Sequence, residues 1–256
     1  MAYSTEITSD KIASDNPIHQ RLLKAYYLAQ PFLNNHILEI GCGEGRGVDF
    51  FTIEGVTYTG IDKNPTIINH LKAEHPDLNF YQMVIPPLKG LEENAFDLIV
   101  CFQVIEHIKD DGYLVREIHR VLKPGGRALI TTPNRLKSLT RNPWHIREYK
   151  ANQLRELLES VFPKVEMQGI SGNQKVMEYI ERNKLSVQKI TKWDIFNLQY
   201  RLPSFMLRVP YELLNRVNRN RLKDQDDQLV KDISHQDYVL DENLDECLDF
   251  FCVVEK

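Results

Sequence analysis

Along this 256-residue chain, short apolar runs alternate with segments in which apolar residues return every three or four positions. The runs predict buried strands, and the spaced segments predict helices with one apolar face. From Pro17 the pattern is helical, with Leu22, Leu23, Tyr26 and Tyr27 on one side. Ile37, Leu38 and Ile40 predict a first strand, and residues 56–61 a second that closes on Asp62. Residues 78–85, 96–102, 127–132, 165–170 and 250–254 predict five more. The helical segments fall between them. Asn64-Pro65 is a cap followed by a first-turn proline, leading into Ile67, Ile68 and Leu71. Leu114, Ile118, Val121 and Leu122 mark a helix broken by Lys123-Pro124-Gly125-Gly126, and Leu154, Leu157, Leu158, Val161 and Phe162 mark another. Strands alternating with helices imply a parallel sheet covered on both faces.

Two stretches lie outside this alternation. Residues 1–16 are polar and are expected to be mobile. Residues 171–246, between the last two strands, are read as a helical insertion that lids a site or meets a partner. Their first half interleaves Lys184, Lys189, Lys192, Arg201 and Arg208 with Trp193, Phe196, Tyr200 and Phe205, and their second half is acidic. Two ordinary amphipathic helices with solvated charges remain the alternative.

The segment Glu39-Ile40-Gly41-Cys42-Gly43-Glu44-Gly45-Arg46-Gly47 follows the first strand and carries glycines at every second position. Glycine there permits a tight turn and close approach of a ligand to the backbone. A helix opening after the turn would offer free N–H groups to an anionic or electron-rich ligand. The spacing fits a dinucleotide fingerprint poorly, because its third glycine would fall on Arg46 or Val48.

Composition narrows the class. The formal net charge of −4 argues against nonspecific nucleic-acid binding by the whole chain. No run approaches the roughly 20 apolar residues of a membrane span. The start, Met1-Ala2-Tyr3-Ser4-Thr5-Glu6, has neither a basic region nor an apolar core, so no secretory signal is expected. Cys42, Cys101, Cys247 and Cys252 form no Cys-x-x-Cys pair, which fits free thiols in a cytoplasmic protein and not a cysteine zinc site.

Four segments in order carry a family resemblance: the glycine loop, Tyr58-Thr59-Gly60-Ile61-Asp62, Phe96 to Ile108, and Leu122-Lys123-Pro124-Gly125-Gly126 leading to Pro133-Asn134. Together they resemble class I S-adenosylmethionine (SAM) dependent methyltransferases, over residues 17–170 plus 247–256. The resemblance implies a Rossmann-like sheet of seven strands with helices on both faces and an antiparallel last strand. It implies SAM as cofactor. Gly41, Cys42, Gly43 and Gly45 would lie against its amino-acid part, and Glu39 would hold the loop or the ammonium group. Asp62 would accept from the ribose hydroxyls, with Lys63 bordering the adenine. Met83 stands where the family often has an acid for the adenine amino group, which leaves that contact to apolar groups and backbone. Gln103 and Val104 would touch the methionine part.

Gln103-Val104-Ile105-Glu106-His107 also resembles the Glu-His pair of ubiquinone-biosynthesis O-methyltransferases and of small-RNA 3′-end methyltransferases. Those relatives hold a metal with an acid three residues earlier and a later histidine. Here Glu106 and His107 are kept, His145 stands as the later histidine, and Gln103 replaces the first acid. Metal ligation is therefore not favoured over loop bracing by Glu106 and His145. His107 is the candidate base, and Arg147 and Tyr149 are expected to orient His145 or meet an acidic substrate. The expected activity is methyl transfer to a small-molecule or lipid-like acceptor at oxygen. An RNA-end methyltransferase and a non-catalytic SAM-binding protein are the alternatives.

Overall fold

The computed structural model describes residues 12–256. Its strands are β1 (His36–Ile40), β2 (Thr57–Asp62), β3 (Asn79–Gln82), β4 (Phe96–Phe102), β5 (Leu122–Pro133), β6 (Lys164–Gly172), β7 (Tyr238–Asp241) and β8 (Asp249–Glu255). Its helices are α1 (Asn16–Ala29), α2 (Val48–Phe51), α3 (Pro65–Glu74), α4 (Asp111–Val121), α5 (Ala151–Glu159), α6 (Gln174–Thr191), α7 (Leu198–Arg201), α8 (Ser204–Gln225) and α9 (Asp227–Asp232). The strands form one sheet in the order β3-β2-β1-β4-β5-β8-β6-β7. The pairs from β3 to β5 are parallel, and those joining β5, β8, β6 and β7 are antiparallel.

Successive side chains of a strand face opposite sides of the sheet. Leu98 and Val100 of β4 accordingly enter one core, with Tyr26 of α1, Phe51 of α2 and Leu71 of α3. Ile99 and Cys101 enter the other, with Leu114 and Ile118 of α4 and Leu154 and Leu158 of α5. This double burial is why the strands read as unbroken apolar runs. The expected cap of α3 forms: the Asn64 side chain accepts from the Thr66 and Ile67 N–H groups. The strand order turns back at β1 and β4, so ligands of such a sheet sit beyond their carboxyl ends.

Three expectations change. The sheet has eight strands among the described residues, not seven. The extra one, β7, lies inside the segment expected to be wholly helical, and pairs with β6 because β6 leaves an open edge there. Of the segment expected to be mobile, residues 1–11 lie outside the described residues. Residues 12–16 are built into the fold, where buried Asp15 meets the guanidinium groups of Arg216 and Arg219 on α8. All four cysteines are free and buried.

Candidate active site

The glycine loop runs from the end of β1. Gly41 has φ +75°, and a Cβ there would fall 2.4 Å from Val104 Cγ2, so both conformation and space demand glycine. Gly43 has φ +51° with nothing within 4 Å of where a Cβ would stand, which leaves open space beside the loop. Its N–H donates to Asp62 Oδ2 (3.2 Å), and Asn64 N–H donates to Asp62 Oδ1 (2.8 Å). The loop and the carboxylate at the tip of β2 are thus locked together. The helix that follows is only Val48–Phe51, so the expected helix N-terminus contributes little and the loop's own backbone forms the cradle.

Glu39 lies beneath this loop, buried. Its carboxylate accepts from Tyr26 Oη (2.8 Å) and Tyr58 Oη (2.5 Å), and a Cβ on Gly47 would strike it at 2.1 Å. Burial pushes its pKa up to about 7 against the pull of the two tyrosine hydroxyls and Arg46. Glu39 is not among the residues lining the cavity beyond the loop, and its hydrogen bonds tie α1 to β2 beneath it.

A cavity of about 560 Å³ opens beyond β1, β2 and β4, within the range of small-molecule sites. Gly41, Cys42, Gly43, Asp62, Lys63, Met83, Gln103 and Val104 all line it. Gly45 does not; a Cβ there would fall 2.6 Å from Leu71 Cδ2. A second cavity of about 380 Å³ adjoins it, and Arg21, Leu22, Gln103 and His107 line both. The second is walled by Glu106, Asn142, His145 and Glu148, by Asn183 and Val187 of α6, and by Tyr211 and Asn215 of α8.

Gln103 ends β4 with φ +55°, an uncommon conformation for a side-chain-bearing residue. Its amide donates to Thr131 Oγ1 (3.3 Å) and Asp249 Oδ1 (3.4 Å). Asp249 in turn forms a two-point ion pair with Arg21. Four residues on, His107 Nδ1 lies 2.9 Å from the Trp144 carbonyl oxygen. A carbonyl only accepts, so Nδ1 carries the proton and Nε2 carries the lone pair of the neutral ring. His145 is held the same way, with Nδ1 2.7 Å from Glu148 Oε1. Asn142 Nδ2 donates to His145 Nε2 (2.9 Å). Glu106 is fully buried and accepts from Thr132 Oγ1 (2.9 Å). One ligand-type atom from each of Glu106, His107 and His145 lies within 4.8 Å of the others.

Residues 17–168 match the family model described as a methyltransferase domain. The chain belongs to the SAM-dependent methyltransferase family. A probable SAM-dependent methyltransferase of Mycolicibacterium smegmatis is 35% identical over 167 residues, 63% of this chain and 65% of that protein. A ubiquinone biosynthesis O-methyltransferase of Paracidovorax citrulli is 31% identical over 110 residues, 41% of this chain and 46% of that protein. The chain therefore spans less than two thirds of the curated relatives it matches. A crystal structure of a SAM-dependent methyltransferase from Archaeoglobus fulgidus superposes with a TM-score of 0.57 at 16% identity, covering 93% of this chain and 94% of that one. The fold of this methyltransferase is thus the Rossmann-like one, and the family's cofactor is SAM.

Within the methyltransferase, two expected partners turn elsewhere. Arg147 pairs with Asp111 (2.5 Å), and the Tyr149 hydroxyl donates to the same carboxylate (2.7 Å), so neither orients His145. Glu148 does that instead. Burial works against its carboxylate, but hydrogen bonds from His145 and Ser138 outweigh it and hold its pKa low. Arg21, Asn142 and Asp249 also line the two cavities and were not expected from the sequence. Arg21 sits on an ordinary helical face, and nothing in its neighbourhood along the chain marks it. Asn142 stands three residues before His145, and that spacing was the available signal.

Proposed function

We propose that this methyltransferase uses SAM to methylate a hydroxyl oxygen of a small or lipid-like acceptor, with the acceptor in the second cavity and His107 between the two. The observation that carries this reading is that His107 lines both cavities while the Trp144 carbonyl fixes its tautomer. The first cavity suits SAM on its own chemistry. It offers open space beside Gly43, one carboxylate at Asp62 for paired hydroxyls, and apolar walls at Ile61, Met83 and Ile85. SAM, when bound, supplies a methyl group already activated on a sulfonium. The chain's own task is to align the acceptor, exclude water and receive a proton. His107 Nε2 would take the acceptor's hydroxyl proton as oxygen replaces sulfur on the methyl carbon and the sulfonium leaves as a neutral thioether, a contribution of about 10²–10⁴ in rate. Alignment in a closed site contributes roughly 7–11 kcal/mol of the barrier. Segment 171–246 serves as the lid, because α6 and α8 wall the acceptor cavity. The oxygen preference draws on the ubiquinone biosynthesis O-methyltransferase relative, whose name states that chemistry.

A second reading is favoured by one observation. Glu106, His107 and His145 are a fitting donor set for a divalent cation, and both Nδ1 atoms are held by hydrogen bonds, as the second nitrogen of a metal-binding histidine is. Asn142 competes for His145 Nε2. With the ion bound, these residues would hold it, and it would lower the pKa of the acceptor hydroxyl.

The experiment is turnover of labelled SAM against a panel of phenols and lipid hydroxyl compounds, before and after dialysis against a chelator. Turnover that survives dialysis and collapses in His107→Ala supports the base. Loss on dialysis with recovery on adding magnesium or zinc transfers His107 to the metal reading. Melting with SAM, its demethylated product and NAD runs alongside. SAM at about 100 times its Kd adds roughly 2.7 kcal/mol, and a shift with NAD alone overturns the cofactor assignment.

A further inference from the structure

The largest exposed apolar side chains of the described residues cluster in one place. Trp193, Ile195 and Phe196 lie in the turn after α6, 79%, 76% and 64% exposed, and Phe205, Val209 and Leu213 repeat every four residues along α8. That four-residue spacing makes one outward stripe of a helix. Asn218 donates to Asn183 and Arg182 to Asp226, so α6 and α8 run antiparallel and residues 192–206 form the far tip of their hairpin. The tip is ordered: Arg141 donates to the Gln199 and Leu202 carbonyls and to Ser204 Oγ. An apolar surface this concentrated marks a contact with something.

Charge identifies the contact. Lys189, Lys192 and Arg201 are exposed around the tip, and Lys192 Nζ stands 5.5 Å over the Trp193 ring. Between residues 184 and 223 the acids are Asp194 and Glu212 alone. Asp194 accepts from the Leu198 and Gln199 N–H groups, and Glu212 accepts from Trp144 Nε1, so both are turned inward. The outward face is therefore apolar and basic, with aromatic rings beside cations. Interfacial helices on anionic lipid have this composition. Among the described residues no helix is long and apolar enough to cross a membrane, so the contact is one of lying on the surface.

We infer that the tip of the α6–α8 hairpin docks this protein on an anionic bilayer surface. Tyr211 and Val187 of the same two helices line the acceptor cavity, which sets its mouth beside the lipid. That last link rests on the proposed function; the docking itself does not.

The test uses the full chain and vesicles of phosphatidylcholine with and without phosphatidylglycerol. The chain has two tryptophans, and Trp144 is buried, so a blue shift in emission reports Trp193. We expect that shift, with co-sedimentation, only when phosphatidylglycerol is present, and weakening as salt is raised. Two variants separate the contributions: Lys189→Glu with Lys192→Glu and Arg201→Glu, and Trp193→Ser with Phe196→Ser and Phe205→Ser. Each should weaken vesicle binding about tenfold or more. Unchanged melting and an unchanged SAM-induced shift establish that the variants fold, independently of any turnover. Wild-type chain that ignores phosphatidylglycerol vesicles, or binds pure phosphatidylcholine equally, overturns the inference. So does a dimer that the apolar variant disperses, or salt-sensitive binding of a single-stranded oligoribonucleotide without vesicle binding.

Discussion

The two cavities of this methyltransferase are neighbours built by opposite means. The first, where we place SAM, is mostly backbone and strand tips: a glycine loop after β1, a carboxylate at the end of β2 and the turn after β4. The second, where we place the acceptor, is mostly side chains, brought from α1, the loop around residues 134–148, α6, α8 and β7. The first rests on the parallel half of the sheet, whose geometry fixes it. The second depends on polar pins between segments more than 100 residues apart, such as Asn134 Nδ2 on the Cys247 carbonyl. A fold of this kind can keep its cofactor site while the acceptor site changes, since function lives in the site and not in the fold.

The largest effect should come where the two meet. His107→Ala is expected to slow methyl transfer by about 10²–10⁴, while SAM affinity measured by calorimetry stays within about twofold. An equal loss of SAM affinity would mean that His107 acts on the cofactor and not on the acceptor, and would break the division. Asp62→Ala should do the converse. Losing charge-assisted hydrogen bonds worth roughly 1.5–3 kcal/mol, it should weaken SAM by about 10–100-fold and leave the acceptor KM nearly unchanged.

The same division decided what could be read from the sequence. Gly41, Gly43, Asp62, Gln103 and His107 were legible because strand-end chemistry is local: the glycines, the acid and the Glu-His pair each sit within a few residues of a predictable strand. Arg21 and Asp249 were not. They meet across 228 positions, and neither has a neighbour in sequence that hints at the other. β7 was missed because four residues, Tyr-Val-Leu-Asp, in an acidic stretch give no clear period. It forms because β6 presents an unpaired edge. The partner of Arg147 was not legible either, because spacing along the chain cannot show that the Asp111 carboxylate stands against its guanidinium.

The acceptor side offers a stability test. Asp237 accepts from the Ser234 N–H, from Asn173 Nδ2 and from Lys175, tying the start of α6 to β7. Burial opposes its charge, but these donors outweigh burial and lower its pKa to about 2. A carboxyl depressed from 3.8 to about 2 contributes stability above pH 4 that is lost as pH falls toward 2. Asp237→Asn should therefore cost about 2 kcal/mol near neutral pH and progressively less below pH 4. Hydrogen exchange should show the loss in α6 and β7, with β1 and β2 protected as before. A loss spread evenly over the sheet would mean that the two regions do not unfold separately.

The smallest effect probes the floor of the cofactor cavity. Glu39 has its folded pKa raised from 4.5 to about 7 by burial, so it lowers stability as pH rises between those values. The Tyr26 hydroxyl opposes that by donating to the charged form. Tyr26→Phe removes the donor and raises the pKa further. Near pH 5 the folded carboxyl is protonated in both proteins, and the substitution should cost little. Above pH 7 the wild type has a charge with two donors and the variant a charge with one, so a cost of about 1 kcal/mol should emerge as pH rises. Melting curves across that range measure it. If the cost were instead flat with pH, the Tyr26 ring would matter only by its packing against Phe51 and Phe102, and the buried carboxylate would not be what stiffens the loop.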